Sequence, residues 1–324
     1  MSAPALRVRI VRRSEQGHTI CAFELAAVDG DALPDFSAGA HIDLHISEGL
    51  VRQYSLCNAP GSVRYEIAVL RDPQSRGGSS AVHDRLQEGD IVTISPPRNH
   101  FALDESARRS VLFAGGIGVT PLLSMMEQLS QQHASFDLHY CVRSSAHVAF
   151  AERLNEDRFA GHVHIHADDV TNSSRFEVAT CIGAPDALTH AYICGPTGFI
   201  DWVVQGAIAC GWPLENLHVE RFAAAADVQV EGGEADRAFE IVIASTGRVI
   251  HVAPGQTAAN ALIDAGIDVP LSCEQGVCGT CLMGILDGDP DHRDWLLSDD
   301  EKARGDQFTP CCSRAKSQRL VVDL

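Results

Sequence analysis

The sequence predicts a multidomain chain: an antiparallel β-barrel or sandwich, then a doubly wound α/β domain with a parallel sheet, then an α+β segment organised around cysteines. Three observations predict this order. Residues 6–105 hold short β-type runs separated by Gly, Pro and Asp, the texture of an antiparallel sheet. From Ser110 onward strand patterns alternate with helical ones, which argues for parallel strands joined by crossover helices. Near the end, Cys273, Cys278, Cys281 and Cys311 are spaced C-x4-C-x2-C, then 29 residues, then C.

In the first part the β-type runs are 6–11, 18–25, 41–46, 65–70 and 91–94, with Gly89-Asp90 turning the chain into the last. In the second, 111–114 reads as a buried strand, followed by a glycine turn and a helical pattern through Gln128. Strands at 136–142, 162–166 and 191–194 then alternate with helices at 149–156 and 198–210. Residues 222–236 are small and acidic with Gly232-Gly233 among them, the composition of a linker. Beyond it, 239–244 and 249–252 form a hairpin-like pair about Gly247, and a helix at 257–265 precedes the cysteine loop. The expected domains are therefore 1–105, 106–228 and 229–324.

The formal charge is −18, and those segments spread it: −4 for 1–105, −5 for 106–222, −3 for 223–235 and −6 for 236–324. Acidity of this kind argues against nucleic acid or an anionic membrane as partner, because both select basic surfaces. It suits either a protein partner with a basic docking patch or plain solubility. Eleven cysteines without an apolar N-terminal segment point to a reducing, cytoplasmic setting. The uncharged run 110–126 is too short and too interrupted by Gly and Pro to span a bilayer.

Thiolates at the spacing of the cysteine loop match the plant-type pattern for a [2Fe–2S] cluster. Gly276 and Gly279 fit, since a bare backbone can approach the sulfurs and aim N–H groups at them. A zinc site is the alternative, but zinc pairs usually come as C-x2-C twice or with histidines. The 29-residue interval selects Cys311 rather than its neighbour Cys312 as the fourth ligand. A second motif, Gly115-Gly116-Ile117-Gly118-Val119-Thr120-Pro121, joins a strand to a helix, as phosphate-binding turns do. Pro121 breaks the G-x-G-x-x-G fingerprint, so a tight structural turn stays open as the alternative. Cys194-Gly195-Pro196 ends a later strand on the side where such sheets bind ligands. Arg52-Gln53-Tyr54-Ser55 and Arg76-Gly77-Gly78-Ser79 offer a cation, a ring and a glycine turn for a planar phosphorylated cofactor, or else ordinary packing and a hairpin turn. His162, His164 and His166 share one strand face by period two. They read as a polar strand face rather than a metal site, because only Asp168 and Asp169 stand near in sequence to complete one. Cys57 reads as a packed thiol, and Arg143-Ser144-Ser145 as a place where a 2′-phosphate can be accommodated.

Taken together, Arg52-x-Tyr54-Ser55-Leu56, Arg76-Gly77-Gly78-Ser79, the 115–121 turn, Cys194-Gly195-Pro196, the cysteine loop and Cys311-Cys312-Ser313-Arg314 carry a family resemblance almost end to end. The chain resembles phthalate dioxygenase reductase and vanillate demethylase reductase, the FMN- and [2Fe–2S]-containing reductases of Rieske oxygenases. In that family the proline form of the glycine turn is the normal one. The resemblance implies an FMN-binding β-barrel, a nicotinamide domain and a β-grasp ferredoxin domain. It implies that Arg52, Tyr54 and Ser55 hold the flavin ring, that Ala68, Val69 and Leu70 line the ribityl chain, and that Gly77, Gly78 and Ser79 grip the phosphate. Gly115, Gly116, Gly118, Pro121, Gly195 and Pro196 would accept NADH, with Thr120 near the flavin, Cys194 beside the nicotinamide and Phe222 shielding the flavin face. The implied activity is an NADH-dependent electron transfer, from FMN to the cluster to a cognate Rieske oxygenase that hydroxylates or demethylates aromatic compounds. The implied protein is a monomer. An FAD-containing ferredoxin-fused reductase of a different hydroxylase is the alternative. The spacing makes a sharp expectation: Cys311→Ser abolishes the cluster's electron paramagnetic resonance signal while NADH still reduces the flavin, and Cys312→Ser keeps the signal. The reverse pattern would move the ligand to Cys312.

Overall fold

The computed structural model describes residues 5–28, 32–47, 50–73, 77–170, 176–222, 237–271, 276 and 279–324. Two units emerge, residues 1–220 and 221–324. The first begins with β1 (Leu6–Glu15), β2 (Ile20–Ala27), β3 (His41–Ser47), β4 (Leu50–Ser55), β5 (Tyr65–Leu70), α1 (Gly78–Arg85) and β6 (Ile91–Ile94). Its sheet runs β4-β3-β6-β1-β2-β5 with every pairing antiparallel. A bridge between Leu56 and Ile67 joins the end of β4 to β5 and curls the sheet towards a barrel. Period-two alternation turns Val8, Ile10, Phe23, Leu25, Ile42, Leu44 and Ile67 inward, and Val82 and Leu86 bring α1 into the same core. The strand expected from His18 starts at Ile20, because Gln16 N–H bonds the Ile20 carbonyl (2.9 Å) across a tight turn.

The second sheet of this unit holds β7 (Arg109–Gly115), β8 (Ser135–Val142), β9 (Val163–Ala167), β10 (Thr189–Cys194) and β11 (Leu217–Glu220). Between them come α2 (Val119–Gln131), α3 (Ala151–Leu154), α4 (Val178–Ile182) and α5 (Thr197–Ala209). All pairings are parallel in the order β11-β10-β7-β8-β9. The chain winds outward from β7 to β9, crosses back, and winds the other way through β10 and β11. The switch point therefore lies between β7 and β10. The helix expected over 149–156 is the single turn α3, preceded by Phe150 with a left-handed φ of 55°.

Helix α2 is buried on both sides. Leu122, Leu123, Met125 and Met126 share one core with Leu112, Leu138 and Tyr140 of the parallel sheet and with Ile20, Ala22, Ala38 and Phe101 of the barrel part. Polar ties add to this core: Arg153 donates to the Cys57 carbonyl (3.0 Å) and to Glu66 Oε2 (2.5 Å). Cys57 is fully buried, its Sγ 3.3 Å from the Glu66 carbonyl, as a packed thiol should be.

The second unit contains β12 (Phe239–Ile243), β13 (Val249–Val252), α6 (Ala258–Asp264), β14 (Met283–Asp287), β15 (Pro290–Asp291), α7 (Asp299–Arg304), β16 (Gln307–Phe308), β17 (Arg314–Ala315) and β18 (Arg319–Val322). Its main sheet, β13-β12-β18-β14-β16, mixes a parallel β12–β18 pair with antiparallel neighbours and grasps α6 in the β-grasp manner. Thr257 caps α6 by accepting from Asn260 N–H (3.1 Å), and Ser298 and Glu301 form a capping box on α7. Among the described residues no helix is long and apolar enough to cross a membrane.

Arg153→Met leaves the Glu66 carboxylate mostly buried without its partner, so a loss of about 2–3 kcal/mol is expected. Thermal unfolding followed by flavin release measures it, and Arg153→Met combined with Glu66→Gln should recover part of the loss. An unchanged melting temperature in the single variant would remove the ion pair from the barrel–sheet junction.

Candidate functional site

At the switch point the ends of β7 and β10 pack backbone against backbone. A Cβ on Gly118 would stand 2.3 Å from the Cys194 carbonyl oxygen and 2.6 Å from Gly195 N, and one on Gly195 would stand 2.9 Å from Gly115 Cα. Only glycine permits this approach. It brings the amino ends of α2 and α5 together, neither with a side-chain cap, so two positive helix ends converge on one crevice. Gly116 carries a φ of +54° with nothing within 4 Å of its absent side chain, so its backbone is open to a ligand. Thr120 is buried and donates its hydroxyl to the Ile117 carbonyl (3.0 Å), locking the turn. Pro121 sits in the first turn of α2, where the absence of its N–H costs nothing.

Cys194 is fully buried, and burial with the neighbouring Glu220 raises its thiol well above the ordinary range. Glu220 stands beside it in the β10–β11 register. Burial pushes this carboxyl up to about 8, and its Oε2 has no hydrogen-bond partner. An orphaned buried acceptor beside a thiol, at the mouth of an anion-binding crevice, fits the carboxamide end of a dinucleotide. Sequence reasoning missed Glu220, because nothing in a strand-ending Val-Glu signals an unpaired carboxyl.

A second cradle forms on the barrel. Gly77-Gly78-Ser79, expected as a turn, instead opens helix α1, with no side chain capping it. The Arg52 side chain from β4 lies over Gly78, where an added Cβ would meet Nε at 2.7 Å. A guanidinium beside uncapped helix N–H groups suits a phosphate. His83 belongs to this helix and bonds the Val69 carbonyl (2.8 Å), tying α1 to β5. Strand β5 pairs with β2 on one side. Beyond the Leu56–Ile67 bridge, Ala68, Val69 and Leu70 have no strand neighbour on the other side among the described residues, and His83 holds the Val69 carbonyl. Tyr54 packs against the barrel core, and burial raises its phenol; Ser55, next to it, is buried. The Gly116–Gly118 turn packs beside β5, so the flavin-type strand and the nucleotide turn are neighbours. Arg76 lies outside the described residues.

In the second unit the Cys281 and Cys311 thiols lie within hydrogen-bonding reach, and that proximity holds the Cys311 proton far above the usual thiol range. Both are buried, placed as two ligands of one iron would be. Cys273 and Cys278 lie outside the described residues. Cys312 Sγ lies within reach of the Cys311 thiol and 3.3 Å from Thr309 Oγ1, and fills the space beside Gly276, where a Cβ would come within 2.4 Å of it. The Cys311 turn is pinned from both ends. Ala259 N–H of α6 donates to the Pro310 carbonyl (2.9 Å), and buried Arg314 donates to the carbonyls of Gln256, Arg237 (2.9 Å) and Ala253 (3.2 Å) while lying over Phe239. Soft, paired, buried thiols on a rigid turn fit an iron–sulfur cluster. Phe222, two residues past β11, is exposed.

Residues 112–205 match the family described as an oxidoreductase NAD-binding domain, and residues 241–316 that described as a 2Fe-2S iron-sulfur cluster binding domain. Over 306 residues the chain is 50% identical to the vanillate O-demethylase oxidoreductase of Pseudomonas sp. (strain HR199 / DSM 7063), covering 94% of this chain and 95% of that protein. The solved structure of phthalate dioxygenase reductase, a modular structure for electron transfer from pyridine nucleotides to [2Fe–2S], superposes with a TM-score of 0.73 at 37% identity, covering 99% of this chain and 98% of that one. An intact type IV self-sufficient cytochrome P450 monooxygenase gives a TM-score of 0.88 at 34% identity, with 99% of this chain matched to 41% of that one.

Gly118→Ala should push the β7 and β10 turns apart. Its Kd for NADH is expected to rise about tenfold or more, roughly 1.4 kcal/mol, with bound flavin retained. Titration of the oxidised protein with a non-reducing nicotinamide analogue reads this, and wild-type affinity would mean that the crevice does not hold the dinucleotide.

Proposed function

Since the chain belongs to the vanillate O-demethylase and phthalate dioxygenase reductase family, we propose that its parts form one path, from NADH through FMN to the [2Fe–2S] cluster and on to a separate Rieske oxygenase component. The chain is an NAD(P)H-dependent oxidoreductase with a nicotinamide-binding and an iron–sulfur domain. The observation that supports the path best is the placement of the Gly116–Gly118 turn against β5, which sets a nicotinamide crevice beside a flavin cradle.

Bound FMN supplies the conversion of a hydride's electron pair into single-electron deliveries, which a [2Fe–2S] cluster requires. The chain's own residues bind, orient and exclude water. Arg52 and the α1 N–H groups hold the FMN phosphate, and the free edge of β5 aligns the ribityl chain. Tyr54 and Ser55 support the ring. The N-termini of α2 and α5 hold the dinucleotide phosphates, and Cys194 and Glu220 orient the carboxamide. Phe222 would be the aromatic that shields the flavin face where nicotinamide must enter. Cys273, Cys278, Cys281 and Cys311 hold the cluster. No side chain has to act as nucleophile.

Asp169 favours NADH over NADPH. Its carboxylate accepts from Ser145 N–H (2.9 and 3.1 Å) and Ser145 Oγ (3.1 Å) just past β8, so a negative charge occupies the place a 2′-phosphate would need. The identity to vanillate O-demethylase oxidoreductase supports an oxygenase acting on aromatic compounds, by demethylation or hydroxylation. The cysteine content suits a reducing, cytoplasmic setting, and the reductase would meet its oxygenase as a monomer. A second reading, a haem hydroxylase as acceptor, draws on the likeness to the P450 monooxygenase chain.

Anaerobic stopped-flow mixing with NADH tests the path, with absorbance following flavin and cluster separately. Flavin reduction should precede cluster reduction, and the reduced protein should then pass electrons to a Rieske component faster than to a P450. Phe222→Ala should change the flavin reduction rate several-fold. An unchanged rate would remove Phe222 from the nicotinamide site, and extraction of FAD instead of FMN would overturn the cofactor assignment.

A further inference from the structure

The face of the parallel sheet covered by α4 carries a histidine and cysteine cluster away from the β7–β10 crevice. His164 and His166 of β9 do lie on one face, but the residues that complete a donor set come from elsewhere in the chain. His139 stands on the neighbouring strand β8, and Cys181 comes down from α4. One ligand atom each from His139, His166 and Cys181 all lie within 4.8 Å of one another. We propose that these residues form a second metal site, selective for a borderline divalent ion such as Zn2+, bound by two imidazoles and one thiolate with a fourth position for water or Cys141.

The geometry carries this reading. His139 Nδ1 and His166 Nε2 are 3.2 Å apart, a ring-to-ring hydrogen bond that an ion between them would replace. Two Zn–N bonds of about 2.0–2.1 Å at a tetrahedral angle put their nitrogens about 3.3 Å apart, so the pair is spaced as a tetrahedral edge. The same sheet provides a contrast. His190 and His218 are also paired across strands, but their nitrogens are 2.8 Å apart and among the described residues no thiol or carboxylate joins them in a ligand group. That pair is a plain hydrogen bond. Burial and neighbouring imidazoles hold His139 down to about 4 and lower His166, so both rings keep a lone pair at neutral pH. Cys141 lies opposite His166 in the β8–β9 register, and burial, with the nearby Cys181, raises its thiol to about 12. Phe176 roofs the cluster, its ring 4.9 Å from that of His166 and 5.1 Å from that of Trp202. The ion would staple α4 to β8 and β9, and its binding would release the Cys181 thiol proton to solvent.

The proposal is independent of the electron path. Holoprotein carrying both its flavin and its iron is equilibrated with Zn2+ against a chromophoric chelator, and bound zinc and iron are counted by mass spectrometry. One zinc per chain is expected beyond a full iron complement, with a zinc X-ray absorption spectrum showing two nitrogen and at least one sulfur neighbour. Cys181→Ser and His166→Gln should each weaken binding at least about tenfold while leaving NADH-dependent flavin reduction unchanged. An all-sulfur spectrum would place the ion in the cluster cysteines and overturn the site. So would an absence of stoichiometric zinc, or wild-type affinity in both variants. If a variant fails to fold, the wild-type spectrum alone decides.

Discussion

Burial of helix α2 from both sides is the constraint on which the first unit depends. Its Leu122, Leu123, Met125 and Met126 pack on the parallel sheet and on the barrel at once, so the core between them is completed by both, while the barrel interior and the far face of the parallel sheet keep cores of their own. Most surface helices bury one stripe, whereas this one has none to spare. The polar ties at the same junction, Arg153 to Glu66 and Cys57, then hold the two sheets in register. Because α2 begins at the glycine turn, fixing the helix fixes the turn against β5. The crevice and the cradle are thus set side by side by core packing rather than by a loop that must close.

Within that frame the chemistry is built from absences. Glycine at 118 and 195 lets two strand ends touch through their backbones, and glycine at 78 makes room for the Arg52 side chain. The second unit solves a different problem by similar means. Its Cys311 turn is held by backbone carbonyls bonded to Arg314 and by the α6 N–H at Ala259.

Much of the fold was legible in the sequence, and the reasons differ by element. The strands 65–70 and 91–94 are framed by turn residues and appear as read. The composition of 149–156 is helical, but the left-handed Phe150 interrupts it and only the single turn α3 forms. The Gly-Gly-Ser segment was read as a turn, since glycine is a poor helix former, yet it starts α1. In the site, motif residues such as Gly118, Cys194 and Cys311 announced themselves by spacing. Glu220, and the union of His139 with Cys181, did not, because nothing links residues far apart in sequence until strands pair.

By itself the sequence determined the order of parts, the cysteine set with Cys311 as the spaced member, and the position of the glycine turns. These are local facts, written in intervals between residue types. Tertiary structure alone decided which turns meet, which carboxyl is left unpaired at the crevice, and that β5 lies beside the nucleotide turn. Those depend on α2 being shared by two sheets and on the reversal of strand order between β7 and β10, and packing of that kind joins residues that no interval in the chain relates.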